Sequence, residues 1–364
     1  MPQAVVRKIK KEGLDAFLFS SRPSVFYLTR FSSSHAYALL TAEGQRVFLT
    51  DGRYLLRAKE RLGPKGWTVV EVKSPLFENL VKVLKELGVS KVGLEEDRVV
   101  LSWFENFACR ARTEGIKTVP YAGFLDEFRM VKTPEEVALI ERAVQITDEV
   151  YLDLLEFLKE NSARLEDLKE SDLRRFLLCG YLERGAKGES FPSIVAAGEN
   201  SAVPHHETGD TPLRRNSVLL IDTGCVYGGY CSDFTRTIFL GRPDPELVRV
   251  YEAVAEAHRR ALEAVRVGRP IKEVDLAARE YLESVGYGKY FTHSTGHGVG
   301  IEIHEPPRVY KTEEIPIREG MVFTVEPGVY LPGKGGVRLE NVVVATERGP
   351  RVLSKVSLEP VFLG

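Results

Sequence analysis

Two apolar stretches in the second half of the chain are each interrupted by a single acidic residue. The runs Val218–Gly224 and Cys231–Leu240 are rich in β-branched and aromatic residues and flank a turn of Gly and Tyr, which predicts a β-hairpin. Asp222 lies in the first strand and Asp233 in the second, although burying a lone carboxylate in a strand is unfavourable. This hairpin alone leaves two interpretations open, a strand-end Asp plus a solvated Asp, or two convergent carboxylates.

A second hairpin of the same design follows further along the chain. The strands Met321–Tyr330 and Gly336–Thr346 flank a glycine-containing turn, and Glu326 and Glu340 interrupt their apolar runs. Two hairpins that each carry two acids in otherwise buried strands are hard to explain as surface charge. We therefore expect the four carboxylates to converge, and convergent carboxylates need a shared proton or a cation.

A histidine-rich segment lies between the two hairpins. It reads HSTGHGVGIEIHEPPR over residues 293–308 and adds His297 to the four acids. Four carboxylates and an imidazole make an oxygen-rich site for two hard or borderline divalent ions, and the carboxylates can bridge them. Neither HExxH nor the Cys/His spacing of a single-zinc site is present. The residues therefore predict a dinuclear metal site.

Stretches with helical periodicity surround the hairpins. Thr133 and Glu136 form a predicted capping box with Pro134 between them, so a helix should begin there and run to about Lys159. Further helices are predicted at residues 165–184, 246–267 and 271–285. His258 lies on the charged face of the third helix, where we expect a solvated side chain. The order of helices, hairpin, helices, hairpin indicates an internal two-fold repeat.

The first part of the chain has a different pattern. Short apolar runs alternate there with amphipathic stretches, which predicts an α/β domain without a catalytic constellation. The expected strands are 16–20, 37–40, 46–50 and 92–94, and the expected helices are 55–62, 76–87 and 101–111. The pattern changes near Asp126–Thr133, so we predict two domains, residues 1–125 and 126–364.

Composition excludes several classes of function. The chain has 364 residues, 43% of them hydrophobic, which is ample for two buried cores. A net charge of −2 gives no electrostatic case for binding nucleic acid or a membrane surface. The N-terminus has no apolar signal segment, and no stretch approaches the ~18 unbroken apolar residues of a spanning helix. We therefore expect a cytoplasmic protein.

The motifs together carry a family resemblance. IDTG with SDFTRT, HSTGHGVGIEIHEPPR, TVEPGVY and VRLEN resemble, in order and spacing, the prolidase/aminopeptidase P family, relatives of methionine aminopeptidase. The resemblance covers essentially the whole chain. It implies a creatinase/prolidase-type α/β N-terminal domain, residues 1–125. An α+β catalytic domain of the pita-bread fold, with a pseudo-two-fold repeat, would follow over residues 126–364.

The resemblance also implies a metal site and a reaction. The metal ligands would be the five residues already proposed, Asp222, Asp233, His297, Glu326 and Glu340. Two divalent ions are expected, Mn²⁺ or Co²⁺ first, with Zn²⁺ or Fe²⁺ as further options. The substrate would be a small peptide with proline at its second position, and the protein would form a homodimer.

Further residues take roles by resemblance. Glu326 would accept a proton from water and pass it to the leaving nitrogen. His205 and His304 would donate hydrogen bonds to the carbonyl oxygen, and His293 would line the substrate pocket. Without the resemblance, a core or surface position would be the better interpretation of each of these three histidines. One departure stands out, since many relatives have Glu-Asp where this chain has Glu340 followed by Asn.

Two arginines are candidates for binding a substrate carboxylate. Arg338 lies two residues before Glu340, and Arg308 lies four residues after His304. A guanidinium suits a carboxylate, so the pair could recognise the free carboxylate directly behind proline in a dipeptide. The alternative for Arg308 is a loop residue paired with one of the nearby glutamates, Glu302 or Glu305.

Several functions compete on this fold. We expect hydrolysis of the Xaa-Pro bond of dipeptides, with release of the N-terminal residue from longer Xaa-Pro peptides as the alternative. A metal-free amidinohydrolase like creatinase and a non-catalytic binding module are disfavoured, because those relatives lack the full ligand set. Methionine aminopeptidase is disfavoured by the creatinase-type first domain.

Overall fold

The structure, a computed structural model, describes residues 2–363, with the side chain of Pro2 excepted. The chain divides into two compact units, Met1–Glu127 and Phe128–Gly364. The change of sequence pattern predicted a boundary between residues 125 and 126, beside this division.

The first unit is an α/β domain, as expected. Its described residues form a six-stranded sheet in the order β4-β3-β2-β1-β5-β6, in which β1 pairs antiparallel with β2 and parallel with β5. The elements are α1 (Pro2–Lys11), β1 (Ala16–Phe19), α2 (Arg22–Thr29), β2 (Ala36–Thr41), β3 (Arg46–Thr50), α3 (Gly52–Leu62), β4 (Thr68–Glu71), α4 (Leu76–Glu86), β5 (Lys91–Glu95), α5 (Leu101–Thr113) and β6 (Lys117–Tyr121).

Sequence periodicity found the central strands of this sheet and missed its edges. The predicted strands correspond to β1, β2, β3 and β5, which are almost wholly buried. The missed strands β4 and β6 are the two edge strands, and their side chains are only partly buried. An edge strand has no continuous apolar run, so its pattern is weak. Helices α1 and α2 were also missed.

The second unit repeats a helix pair followed by strands. A short helix, α6 (Asp126–Met130), crosses the division. The longer helices are α7 (Pro134–Glu160), α8 (Glu170–Glu183), α9 (Pro245–Ala264) and α10 (Lys272–Ser284). The strands are β7 (Ile194–Ala197), β8 (Ser217–Thr223), β9 (Val226–Tyr227), β10 (Tyr230–Cys231), β11 (Phe234–Leu240), β12 (Gly296–Gly298), β13 (Glu305–Val309), β14 (Val322–Val325), β15 (Gly328–Leu331), β16 (Gly335–Arg338), β17 (Asn341–Thr346), β18 (Gly349–Val352) and β19 (Val361–Leu363).

Each helix pair buries its apolar face with its own set of strands. Helices α7 and α8 share a core with β7, β8 and β11, and these strands belong to a sheet ordered β19-β11-β8-β7. Helices α9 and α10 share a core mainly with β14, β15 and β17, and β14 and β17 belong to a sheet ordered β13-β12-β14-β17-β18. The expected α+β arrangement with two similar halves is therefore present.

The helix starts follow local capping chemistry. The Thr133 side chain accepts from the backbone of Glu136, whose own side chain accepts from the Thr133 backbone, so the predicted capping box is confirmed. The predicted start of the second helix at residue 165 is wrong. Residue 165 lies inside a short 3-10 helix (Ser162–Asp167), Leu168 is extended, and α8 begins at Glu170.

The second predicted hairpin is broken rather than continuous. Strands β14 and β17 pair up to Val325 and Asn341, whereas β15 and β16 pair separately from Gly328 and Arg338 onwards. Between them, the backbone N–H of Glu326 donates to the Thr295 carbonyl at 2.8 Å. Pro327, which follows, has no N–H to continue the ladder.

The first hairpin breaks in the same way. Pairing of β8 with β11 ends at Thr223 and Phe234, and a short hairpin of β9 and β10 continues beyond Gly224. A side chain at Gly224 would place its Cβ 2.1 Å from the Ser232 carbonyl oxygen, so only glycine fits this crossing. Three of the four predicted acidic ligands therefore lie at strand breaks, and Asp222 lies one residue before the end of β8.

Candidate metal centre

Five side chains meet where the strand breaks come together. Single ligand atoms of Asp233, His297 and Glu340 all lie within 4.8 Å of one another. His297 Nε2 is 3.2 Å from Glu326 Oε1 and 3.5 Å from Asp233 Oδ2. Asp222 pairs across the ladder with Thr235, whose hydroxyl donates to Glu340 Oε2 at 2.6 Å. The predicted ligand set is thus brought to one place.

The charge of these carboxylates is only partly compensated: Arg338 forms an ion pair with Asp222, whereas Asp233 and Glu340 have no arginine or lysine partner among the described residues. Burial, and after it the neighbouring carboxylates, raises the pKa values of Asp233 and Glu340 well above their usual range. Within residues 2–363, Oδ1 of Asp222 and Oε1 of Glu340 are buried without a hydrogen-bond donor. Because carboxylate oxygens are the ligands that hard divalent cations prefer, this set fits such cations.

Glu326 differs from the other three acids. Burial opposes its ionisation, but the hydrogen bond with His297 and the charges of His297, His293 and Arg338 together bring the pKa of Glu326 to about 2. The Thr324 hydroxyl donates to Glu326 Oε1 at 2.9 Å and accepts from the His297 backbone N–H at 3.0 Å. Glu326 is therefore ionised, and Thr324 holds it in one orientation.

Arg338 binds protein groups in this structure. Its side chain is buried, Nη2 donates to Asp222 Oδ2 at 2.6 Å, and Nη1 donates to the Tyr330 hydroxyl at 2.8 Å. Nε also approaches the Thr235 hydroxyl at 3.2 Å. This geometry favours a role in holding Asp222, whereas the predicted contact with a substrate carboxylate stays a prediction.

Both ring nitrogens of His293 also have partners. Nδ1 donates to the Ser294 carbonyl at 2.8 Å, because a carbonyl can only accept, and Nε2 accepts from the Tyr330 hydroxyl at 2.7 Å. Burial lowers the pKa of His293, which keeps the ring neutral as this pattern requires. His293 can therefore border a substrate with its ring, while Tyr330 links it to Arg338.

His304 and His205 lie at the open side of the centre. The rings of His304 and His297 are 4.2 Å apart, centroid to centroid. Burial, then His297, lowers the pKa of His304, and His205 is near enough to lower the pKa values of both His293 and His304. Both side chains are exposed, so they can reach a bound molecule.

Arg308 is a strand residue rather than a loop residue. It lies in β13 opposite His297, it is exposed, and its guanidinium lies 4.4 Å from the centre of the Tyr310 ring. The alternative for Arg308, a loop residue paired with Glu302 or Glu305, is not what the structure has, because Arg129 pairs with both glutamates and Lys132 pairs with Glu305.

The prediction that the side chain of His258 is solvated is wrong. It is completely buried instead of solvated, with Nε2 3.4 Å from the Asn341 amide nitrogen. Burial, then the nearby Arg236 charge, lowers the pKa of His258 to about 3. Asn341, where many relatives have Asp, accepts from Arg236 Nη2 at 3.0 Å, and Arg236 also donates to the Glu340 carbonyl at 2.5 Å. Asn341 thus shares the partner Arg236 with the backbone of the candidate ligand Glu340.

Sequence reasoning missed the residues that orient the ligands. Tyr330 and Thr324 flank Glu326 in the TVEPGVY motif, so proximity to an expected ligand was the available signal. Thr235 lies two residues after Asp233 in the sequence, but its hydroxyl donates to Glu340. A ligand that lies far away in the sequence cannot be assigned from local spacing.

A buried cluster of carboxylates and an imidazole, carried on two similar helix-pair and strand units, defines the class of protein as a metal-dependent hydrolase. Comparison with known sequences agrees with this class. Residues 138–347 match the model of metallopeptidase family M24, and residues 3–131 match that of the creatinase/prolidase N-terminal domain. The chain belongs to metallopeptidase family M24, and it therefore acts with divalent metal.

Relatives match over nearly the whole chain. A protein named Xaa-Pro dipeptidase from Pyrococcus furiosus is 33% identical over 360 residues, covering 98% of each chain. The solved structure of an Xaa-Pro dipeptidase from Bacillus anthracis has a TM-score of 0.92 and 32% identity, covering 100% of this chain and 99% of its own. The structure of an X-Pro aminopeptidase from Thermotoga maritima has a TM-score of 0.87 and 34% identity, covering 96% and 98%. The expected prolidase-type pita-bread fold is confirmed.

Membrane insertion through a helix finds no support. Within the described residues, no helix combines the length and apolar character needed to cross a bilayer.

Proposed function

We propose that this chain hydrolyses the Xaa-Pro bond of dipeptides, using two divalent ions held by Asp222, Asp233, His297, Glu326 and Glu340. The observation that carries the proposal is the convergence of four carboxylates, three of which, Asp222, Asp233 and Glu340, are buried and have a raised pKa. Five ligands, four of them able to bridge, are more than one cation needs. The names of the Pyrococcus and Bacillus relatives support the substrate.

The chain's own residues would divide the chemistry between them. When bound, the divalent ions would lower the pKa of water and polarise the scissile carbonyl. Glu326 is ionised and oriented by Thr324, so it can take a proton from attacking water and later give it to the leaving nitrogen. Arg338 and Tyr330 hold Asp222 and His293 in place.

His205 and His304 would stabilise the developing negative charge. Both are exposed at the open side of the centre, and the lowered pKa of His304 leaves its imidazole neutral near pH 7. A neutral imidazole donates one N–H, which is enough to bind the carbonyl oxygen as charge develops on it.

Arg308 supports a preference for dipeptides. It is exposed on β13, opposite the candidate ligand His297, and it stacks on Tyr310, which would restrict its movement. A free carboxylate behind proline is present only in a dipeptide, and a guanidinium binds a carboxylate well. The matched arrangement away from the site is Arg260, which lies 4.3 Å from the centre of the Tyr281 ring.

Comparing an Xaa-Pro dipeptide with an Xaa-Pro-Yaa tripeptide tests this preference. We expect the wild type to favour the dipeptide by about ten- to hundredfold in kcat/KM. Arg308→Ala should remove the difference by raising KM for the dipeptide, while Arg260→Ala should leave it intact. If the wild type cleaves both substrates equally well, the enzyme is an aminopeptidase P, as the name of the Thermotoga relative suggests for that protein.

Assembly and location are also part of the proposal. We expect a homodimer in the cytoplasm. Sedimentation velocity measures the assembly directly, and a monomer with full activity would contradict it.

A further inference from the structure

A buried carboxylate outside the metal centre is directed at the loop that carries His205. Glu170 is the first residue of α8, and it is fully buried. Oε1 accepts from the Ala197 backbone N–H and from the Asn200 amide, both at 2.8 Å. Oε2 accepts from His206 Nε2 at 2.9 Å and from the Gly209 backbone N–H at 3.2 Å. One side chain therefore bonds to four points along residues 197–209.

The backbone at the start of α8 holds the end of the same loop. The Glu170 N–H donates to the Thr211 carbonyl at 3.0 Å, and the Ser171 N–H donates to the Gly209 carbonyl at 2.9 Å. The loop is thus fixed to α8 by main chain as well as by the carboxylate. Such a loop loses the freedom that a surface connection usually has.

The opposite side of the loop is attached to the metal centre. The Ser201 hydroxyl accepts from the Gly336 N–H at 2.8 Å, and the Pro204 carbonyl accepts from Arg338 Nη1 at 3.4 Å. His205 comes directly after Pro204 and directly before His206. The exposed His205 therefore lies between one residue held by the arginine on Asp222 and another held by Glu170.

We infer that Glu170 and His206 are positioning residues that fix His205 for catalysis. This inference rests on the proposed function, because it takes His205 as a hydrogen-bond donor to the substrate carbonyl. His206 Nε2 donates to Glu170 Oε2. If this ring turned away, the buried oxygen would keep only the longer hydrogen bond from the Gly209 N–H, which is unfavourable. The neighbouring His205 then presents its ring from a fixed backbone, as a donor to developing charge requires.

The main experiment replaces the carboxylate by its amide. Glu170→Gln keeps the size of the side chain but turns one acceptor oxygen into an NH₂ group that faces two donors. We expect kcat on an Xaa-Pro dipeptide to fall by roughly tenfold to a hundredfold, because a small misplacement of a catalytic group has effects of this size. Metal content and KM should stay near wild type.

A double-mutant cycle separates positioning from general structure. If Glu170 acts through His205, then Glu170→Gln in a His205→Ala background should produce no further loss of kcat. A merely structural role would lower kcat or stability equally in both backgrounds. Additive losses would overturn the inference.

If Glu170→Gln does not fold, the two variants His206→Gln and His206→Ala test the same inference. Gln can still donate to Glu170 and should retain most of kcat, whereas Ala cannot donate and should lose about tenfold or more. Equal kcat values for these two variants would overturn the inference.

Glu95 offers a matched control in the first unit. It is buried and accepts from the Ser20 N–H at 2.8 Å, from the N–H and hydroxyl of Ser21 at 3.0 and 3.2 Å, and from the Ser24 hydroxyl. Glu95→Gln should lower the melting temperature without changing kcat.

The single variant His205→Ala distinguishes failure of the proposed role of His205 from failure of the positioning role of Glu170 and His206. If it leaves kcat unchanged, the proposed role of His205 fails, whereas a loss with His205→Ala but none with Glu170→Gln and His206→Ala overturns only the positioning.

Discussion

Buried carboxylates form two contrasting groups in the second unit. At the metal centre, Asp233 and Glu340 have raised pKa values, and an oxygen of Glu340 has no donor among the described residues. Around the centre, Asp275 and Glu305 have a full set of partners. Asp275 accepts from Arg279 through both oxygens and from the backbone and hydroxyl of Thr295.

Glu305 shows the contrast most directly. Burial would raise its pKa, but the charges of Lys132 and Arg129 lower it below the usual value, the opposite of Asp233. A carboxylate with its partners supplied by the fold stabilises the fold, and here it fixes the residue beside His304. A carboxylate without them is available to a cation. The difference in partners, rather than burial, therefore separates Asp233 and Glu340 from the carboxylates of the scaffold.

Removal of metal should have the largest effect of all on activity. Chelation should abolish hydrolysis of Xaa-Pro dipeptides, because without divalent ions no water is activated for attack, and adding Mn²⁺ or Co²⁺ should restore it. Measured metal content should approach two ions per chain at full activity. Full turnover by a demonstrably metal-free sample would contradict the assignment.

Removing Glu305, a paired carboxylate around the metal centre, should have the largest effect on the stability of the fold. Glu305→Ala leaves Lys132 and Arg129 buried with one carboxylate fewer, so we expect a loss of about 3–5 kcal/mol in the free energy of unfolding. Glu302→Ala is the control, since Glu302 also pairs with Arg129 but is partly exposed. Its loss should stay within about 1 kcal/mol in urea denaturation. Equal losses of unfolding free energy for Glu305→Ala and Glu302→Ala would contradict the structural role assigned to Glu305.

The histidines that border the centre should affect rate without affecting metal. His304→Ala and His205→Ala should each lower kcat by roughly 10²–10³, as loss of a donor to developing charge does. His297→Ala should instead lose metal, because its ring lies among the candidate ligands. Metal analysis of each purified variant checks the division, and stoichiometric loss of metal in His304→Ala would show it to be wrong.

Buried His258 should make the stability of the fold depend on pH below neutrality. The pKa of His258 is about 3 in the folded chain and about 6.5 when unfolded, so the unfolded state binds more protons between these values. The stability due to neutral His258 is therefore complete above about pH 6.5 and is lost as the pH falls, by about 1.4 kcal/mol for each unit. His258→Gln should flatten this acid dependence in denaturation measurements. Parallel slopes for wild type and variant would count against it.

The smallest effect should come from neutralising an acid of the centre itself. In metal-free protein, Asp233→Asn should leave stability unchanged or raise it by about 1 kcal/mol, because the amide carries no charge to bury. The sign follows from the raised pKa of Asp233. Its stabilising contribution is present below the unfolded pKa near 4 and is lost as the pH rises. The gap between variant and wild type should therefore widen from pH 4 to 8, and a gap that narrows would refute this explanation.

The sequence by itself determined the parts of this protein that depend on local pattern. Acids inside β-forming runs marked Asp222, Asp233, Glu326 and Glu340, because strands seldom tolerate a lone carboxylate. The capping box at Thr133 marked the start of α7, since its two hydrogen bonds join residues only three positions apart. Both signals are short in range, so they can be read without knowledge of the fold.

Only the tertiary structure decided which side chains share a partner. Asp222 and Arg338 are 116 positions apart, and Glu170 and His206 are 36 apart. Helical periodicity placed His258 on a charged face, but the strands that pack on α9 bury it beside Asn341. A helical or strand period tells which residues share a face and not what covers that face. Whether a buried charge is compensated depends on donors brought from distant segments, so the contrast between site and scaffold exists only in the folded chain.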